Sequence, residues 1–426
     1  MPLPRLEVIP ARPAVCHDAP TVLDILVRIT PPLPEIHVLR PPINIGIVLD
    51  RSGSMSSGRK MAHAREAARF AVGQMLPTDR LSLTIFDEVV ETIVPSATVV
   101  DKPSLAAKID GITPRGSTAL HGGWIAGAQQ VLEHLVWQGM NRVLLVSDGL
   151  ANVGLTDPGA ICVEVRGMAS REVNTSTIGV GRDYNEELLS AMAQAGAGNY
   201  YYVDNPVQLT DIFQTELSGL MGTAGRHVEL TLQFAPGVSL AGVLSELERG
   251  PAGQILLPDL VCEMPISVLI RLQVAPRAGR AELCRFQLAW DATDSTSPRR
   301  EQTAAALRLD SVSKQDWERL KPDPIVQDHF ALAMSISTRD EMYGAIKSGQ
   351  GAKAGFLLDQ LRALVNTTSL GFETETELEM LKDLEQKLAR GDYVSSSKLA
   401  HLYSHLRKRV QGSGQYRPPP PPGDPK

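Results

Sequence analysis

The sequence predicts an α/β chain: a doubly wound domain with a mostly parallel sheet, inserted in an antiparallel β-sandwich and followed by a C-terminal helical region. Three observations carry that prediction. Between Ile43 and about Gly222, short continuous Val/Ile/Leu runs alternate with stretches of helical periodicity, as in a sheet covered by helices on both faces. From Arg226 to about Leu309 the pattern becomes two-residue alternation broken by Pro/Gly turns, which reads as an antiparallel sandwich. Beyond Asp323-Pro324, leucines recur at helical spacing.

Taken in order, Leu6–Ile9 and Val22–Ile29 alternate like the later sandwich segments, so residues 1–40 are assigned to the β domain and the α/β domain becomes an insertion. Within residues 41–222 the expected strands are Ile43–Leu49, Leu81–Phe86, Glu91–Val94, Arg142–Ser147, Thr175–Val180 and Tyr200–Val203. The expected helices are Lys60–Met75, Ala119–Val136, Pro158–Arg171, Asn185–Ala195 and Pro206–Leu220. Glu91–Val94 follows its neighbour too closely for a crossover, so it should be an antiparallel edge strand. The sandwich continues over 223–322, with strands expected at His227–Phe234, Pro265–Val274, Glu282–Trp290 and Thr303–Leu309. Residues 323–411 should form a small helical bundle or hairpin, with Leu357, Leu361, Leu364 and Val365 on one face and Leu378, Leu381, Leu384 and Leu388 on another. A Gly/Ser/Pro tail over 412–426 is expected to be disordered, with a polyproline II run at its end.

The most informative residues lie at predicted strand ends. Asp50-Arg51-Ser52-Gly53-Ser54 follows the first buried strand, Gly116-Ser117-Thr118 lies on a later loop, and Ser147-Asp148-Gly149 closes another buried strand. Open α/β sheets gather ligands at the carboxyl ends of their strands, so three hydroxyls and two carboxylates can converge there. A set of oxygen ligands alone suits a hard divalent cation, Mg²⁺ before Mn²⁺ or Ca²⁺. The blander reading, serines that merely cap the next helix, leaves Thr118 and Asp148 unexplained. Gly53 and Gly116 are expected to let the backbone turn tightly at the two loops.

These residues resemble the metal-ion-dependent adhesion site of von Willebrand factor type A domains, a Rossmann-like fold. Asp50, Ser52, Ser54, Thr118 and Asp148 match its five positions in order, and the resemblance spans roughly residues 43 to 222. It implies that Ser52, Ser54 and Thr118 ligate the ion directly in the partner-bound state, while Asp50 and Asp148 act mostly through bound water. The ion then keeps an open position for an Asp or Glu from a protein partner. The order of β segment, metal domain and further β region also resembles inter-α-trypsin-inhibitor heavy chains and related bacterial proteins. An AAA+ ATPase of the MoxR or chelatase type is an alternative partner, because proteins with this domain often work beside such motors.

Other readings carry less. The 426-residue chain has a formal net charge of −6, so no basic surface points to nucleic acid. The most apolar later stretch, 255–274, holds Asp259, Glu263, Arg271 and two prolines, and cannot span a bilayer. No basic-then-apolar segment opens the chain, and Cys16, Cys162, Cys262 and Cys284 show no metal or disulfide spacing. The expectation is a cytoplasmic protein with buried free thiols. His401 and His405 are four apart but lack a third ligand. A Mg²⁺-dependent phosphatase with Asp50 as nucleophile is the rival function. Ser52 stands where such an enzyme needs a general acid, so no enzyme is expected.

Overall fold

The computed structural model describes residues 3–33, 42–137, 139–245, 247–293, 299–366 and 372–408; the tail expected at 412–426 and the side chain of His405 lie outside the described residues. By its internal contacts the chain divides into two compact units, Met1–Leu39 with Gly222–Lys426, and Arg40–Met221.

The first unit begins with β1 (Arg5–Pro10), β2 (Ala14–Cys16) and β3 (Thr21–Thr30). The chain then enters the second unit through β4 (Ile43–Asp50), α1 (Lys60–Gln74), β5 (Arg80–Phe86), β6 (Val90–Thr98), α2 (Lys102–Asp110) and α3 (Leu120–Glu133). It continues with β7 (Met140–Ser147), α4 (Pro158–Ala169), β8 (Asn174–Val180), α5 (Glu186–Ala195), β9 (Ala197–Val203) and α6 (Leu209–Met221).

The sheet order is β6-β5-β4-β7-β8-β9, parallel throughout except for the β5/β6 hairpin. Every residue of β4 and β7 is buried, as two helix-covered faces require. Burying one such Val, Leu or Ile side chain contributes about 1.5–3 kcal/mol. Trp124 of α3 is fully buried, and its indole N–H donates to Thr175 Oγ1 at 3.1 Å, so no polar atom of the ring is stranded. Gly127 lets α3 approach the sheet, because a Cβ there would strike Val48. The two expected helices that open on an Asp or Asn position are capped: Asp157 accepts from Ala160 N, and Asn185 from Leu188 N. The edge strand β6 runs past Pro95 to Thr98 with register shifts against β5, so it is longer than the sequence suggests. A proline is tolerated on an edge because its missing N–H is not needed there.

The second pass through the first unit supplies β10 (Thr223–Phe234), β11 (Val238–Val243), β12 (Ile255–Leu257), β13 (Leu260–Val261), β14 (Ile266–Val274), β15 (Ala281–Ala292) and β16 (Arg300–Val312). One sheet runs β1-β3-β14-β11 and the other β12-β10-β15-β16-β2. The early strand β3 is central: it pairs with β1 and, from Ile29↔Ile266 to Thr21↔Val274, with β14. Their inward residues Ile25, Val27, Ile29, Val268, Ile270 and Leu272 share one core with Leu230, Phe286, Leu288 and Trp290 of the other sheet.

The helical region is α7 (Lys314–Arg319), α8 (Pro324–Met334), α9 (Ile336–Lys347), α10 (Gly351–Asn366), α11 (Phe372–Ala389) and α12 (Tyr393–Lys408). α8 starts on an Asp323 cap and lays Val326 on Leu26 and Leu269, the outward residues of β3 and β14. α9 to α12 bury Met342, Ile346, Leu357, Leu361, Val365, Leu381, Leu384, Leu399 and Leu402. Arg339 and Glu377 form an ion pair among them, both side chains almost wholly buried. Among the described residues, no helix is long and apolar enough to cross a membrane. The four cysteines are free; Cys16 and Cys284 are buried, whereas Cys162 and Cys262 are only half-buried.

Candidate metal centre

Asp50 ends β4 and Ser147 ends β7, neighbouring strands in register, so both side chains emerge at the same carboxyl edge. Ser147 Oγ donates to Asp50 Oδ2 at 2.6 Å, and the Ser52 amide donates to Asp50 Oδ1 at 2.7 Å. That second bond is local: an aspartate accepting from the amide two residues on closes the first loop as a turn. The next links are side chain to side chain. Ser52 Oγ and Ser54 Oγ lie 3.0 Å apart, and Ser54 Oγ donates to Asp148 Oδ1 at 2.7 Å. Lys60 Nζ, from the first turn of α1, donates to Asp148 Oδ2 at 2.6 Å. Four of the five expected residues therefore lie on one unbroken hydrogen-bond path.

Thr118 joins them from the second loop. Its amide donates to Asn152 Oδ1 at 2.9 Å, and its carbonyl accepts from the Asn152 and Val153 amides. Its hydroxyl faces Gly149, where a Cβ would fall 2.9 Å from Thr118 Oγ1 and 3.5 Å from Asp50 Oδ2. Only a residue without a side chain leaves that gap between the three loops. The first and second loops are also stitched by backbone, Gly53 N to Gly116 O at 3.0 Å and Arg115 N to Arg51 O at 2.7 Å.

The expected turn glycines separate on inspection. Gly116 has φ +70°, a left-handed conformation that favours glycine. Gly53 does not have a positive φ; the sharp turn is made by Ser52 leading into a 3-10 turn, and Ser52 makes no capping bond to that turn. The serines thus serve the cluster rather than the helix.

Electrostatically the cluster is unfinished. Asp50 and Asp148 are fully buried, while Ser54 is exposed at the rim. Burial pushes the Asp50 carboxyl up to about 6, outweighing the hydrogen bonds from Ser147 and Ser52 that favour its charge; the nearby Asp148 charge adds to the rise. A flanking set is better balanced: Asp87 Oδ2 meets Arg51 Nε at 2.9 Å and Arg115 Nε at 2.6 Å, and Arg51 Nη2 lies 3.5 Å from Glu91 Oε2, two anions to two cations. Among the described residues there is no group of three or more His, Cys, Asp or Glu that could hold a metal. His401 packs its ring on Tyr343. Hydroxyls and carboxylates are the donor set at this edge, and they fit a hard divalent cation.

Ser147, Lys60, Asn152 and Gly149 were not singled out by sequence as site residues. Ser147 and Gly149 flank Asp148 and could have been suspected. Lys60 and Asn152 reach the site only through the fold.

A doubly wound domain that gathers acidic and hydroxyl side chains at its carboxyl edge defines a class of ligand-binding module. The von Willebrand factor type A domain family model matches residues 44–215, and this stretch of the chain is such a domain. Domains of this family generally mediate metal-dependent protein–protein interaction. Among curated proteins, the chain is 29% identical over 197 residues to uncharacterized protein YfbK of Escherichia coli, covering 46% of this chain and 34% of that one. It is 25% identical over 271 residues to uncharacterized protein sll0103 of Synechocystis, covering 60% and 63%. It is 30% identical over 195 residues to human inter-alpha-trypsin inhibitor heavy chain H4, covering 42% and 20%. The chain thus spans less than two thirds of each of these relatives. Among solved structures, it is similar to a von Willebrand factor type A protein from Catenulispora acidiphila, with TM-score 0.69, 16% identity and 90% of each chain covered. It is also similar to the ArnB paralog VWA2 from Sulfolobus acidocaldarius, with TM-score 0.62, 16% identity and 98% and 100% covered. At such identity these two speak for the fold, and they do so beyond the α/β domain, over nearly the whole chain.

Proposed function

We propose that the chain is a binding protein whose α/β domain holds one divalent cation, Mg²⁺ with Mn²⁺ or Ca²⁺ as alternatives, and uses it to capture an Asp or Glu of a protein partner. The observation that carries this reading is the hydrogen-bond path from Ser147 through Asp50, Ser52, Ser54 and Asp148 to Lys60, with Thr118 closing over it. Ser52, Ser54 and Thr118 would hold the ion through neutral hydroxyls, and Asp50 and Asp148 would orient those hydroxyls. When bound, the ion supplies a Lewis-acidic position for a carboxylate.

The phosphatase reading fares worse. A nucleophilic aspartate needs an oxygen open to the phosphorus, whereas Asp50 is fully buried with both oxygens accepting hydrogen bonds. Ser52, in the position of the general acid, is engaged with Ser54. Calorimetric titration of Mg²⁺ and Mn²⁺ into intact protein and Asp50→Ala tests the metal reading. We expect one site in the first and none in the second; equal binding by both would sink the assignment.

A further inference from the structure

The geometry points to Lys60 as a positioning residue that withholds part of the site's negative charge from the cation, so that the cation is left needing an anionic partner. This rests on the metal reading above and deepens it.

Three observations meet at this side chain. First, the ammonium is 2.6 Å from Asp148 Oδ2, with Lys60 at 10% side-chain exposure and Asp148 at 0%. The other Asp148 oxygen already accepts from Ser54. An ion that drew directly on Oδ2 would compete with a tethered ammonium, so Asp148 is held to an orienting role. Second, the backbone goes out of its way to deliver Lys60. Gly58 and Arg59 both lie in the left-handed region, at φ +57° and +58°, and Arg59 is not a glycine. Third, room for the ammonium is reserved on the far side. Gly181, at φ +80° after β8, leaves a slot in which a Cβ would come 3.0 Å from Lys60 Cε and 3.1 Å from Nζ. A cation in the first turn of a helix is also opposed by the helix dipole, so its place there depends on Asp148.

The charge consequence is simple. Two carboxylates and one ammonium give the cluster a formal charge of minus one. A divalent cation turns that to plus one, and a partner carboxylate brings it to zero. Without the lysine, the cation alone would neutralise the cluster and a carboxylate would overcharge it. Lys60 thereby lowers affinity for the bare ion and raises the dependence of binding on an anion.

The test uses Mn²⁺ on the full chain, with free Mn²⁺ read by electron paramagnetic resonance, in chloride and in acetate at equal ionic strength. Wild type, Lys60→Gln and Lys60→Arg are compared, with folding checked by circular dichroism. Lys60→Gln keeps a donor to Asp148 and removes the charge, so it should bind Mn²⁺ at least about tenfold tighter, while Lys60→Arg should stay within about threefold of wild type. Acetate should tighten Mn²⁺ binding in wild type and do so less in Lys60→Gln, a coupling that a merely structural lysine would not produce. If wild type binds Mn²⁺ and folded Lys60→Gln binds it no tighter, the metal reading stands and the role of Lys60 is overturned. If folded wild type binds no Mn²⁺, both fall. If Lys60→Gln does not fold, the acetate comparison on wild type decides, and no tightening there overturns the inference.

Discussion

Glu216 and Asp50 are both carboxylates buried in the α/β domain, and their surroundings drive them in opposite directions. Glu216 of α6 accepts from Arg142 Nη1 at 2.9 Å and Ser176 Oγ at 2.5 Å on one oxygen, and from Asn199 Nδ2 at 2.6 Å and Tyr201 OH at 2.7 Å on the other. Burial opposes its charge, but Arg142 and the three neutral donors outweigh burial and hold Glu216 below the ordinary glutamate range. Asp50 has two neutral donors, Ser52 and Ser147, and for it burial wins. Lys60 is spent on Asp148. The first cluster balances its charge within the chain, one anion to one cation, although Arg142 Nε and Asn199 Oδ1 are buried without a hydrogen-bond partner. The second has one negative charge left over. The two buried carboxylates thus differ in one respect: Glu216 is neutralised by its neighbours and Asp50 is not.

Breaking the closed cluster should have the largest effect. Arg142→Ala leaves Glu216 buried without its cation, and should destabilise the domain by about 3–5 kcal/mol in urea unfolding. A loss below about 1 kcal/mol would mean the cluster is not as closed as its geometry says.

Asp50→Asn should do the reverse to stability and the worse to binding. In metal-free protein the melting temperature should hold or rise, since a buried charge without a cation is removed. Cation affinity measured by calorimetry should fall by about 100-fold. A drop in melting temperature like that of Arg142→Ala would show that both clusters are structural.

Thr118→Ala sharpens the contrast further. Thr118 is 4% exposed, so stability should fall by about 1 kcal/mol, while cation affinity drops about tenfold. Unchanged cation affinity would remove Thr118 from the ligand set.

The smallest effect is a slope. A carboxyl held low in the folded state contributes stability that is full above its unfolded value, 4.5 for glutamate, and is lost as pH falls through the folded value. Wild type should therefore lose melting temperature below pH 4.5 more steeply than Glu216→Gln; equal slopes would show that Glu216 is not held low.

The five candidate residues stood out in the sequence because three lie within five positions of one another and the others close a predicted loop and a predicted strand. Their hydrogen-bond partners did not stand out. Lys60 and Asp148 are 88 residues apart and Ser147 and Asp50 are 97, so only the pairing of strands reveals them. In local sequence Lys60 is an ordinary helix opener and Ser147 an ordinary strand end. The parallel strands were legible for a related reason: burial on both faces leaves continuous apolar runs. The pieces missed are those with little burial pattern of their own. The helix Lys102–Asp110 has one buried residue, Ile109, and β2, β12 and β13 are three residues or fewer. The helix expected from Pro206 begins as a separate 3-10 turn, Pro206–Gln208, where Asn205 accepts from Val207 N.

The placement of β3 at the centre of its sheet has a temporal side. Its neighbour β14 starts at Ile266, so a strand finished at Thr30 has to wait for more than half the chain before it can pair on that side. At about 5–20 residues per second, ribosomal synthesis imposes a delay of roughly ten to fifty seconds. During that interval the α/β domain, whose sheet partners all fall between Ile43 and Val203, can complete its own fold. Until β14 is made, the apolar edge of β3 that it covers stays open to pairing with other chains.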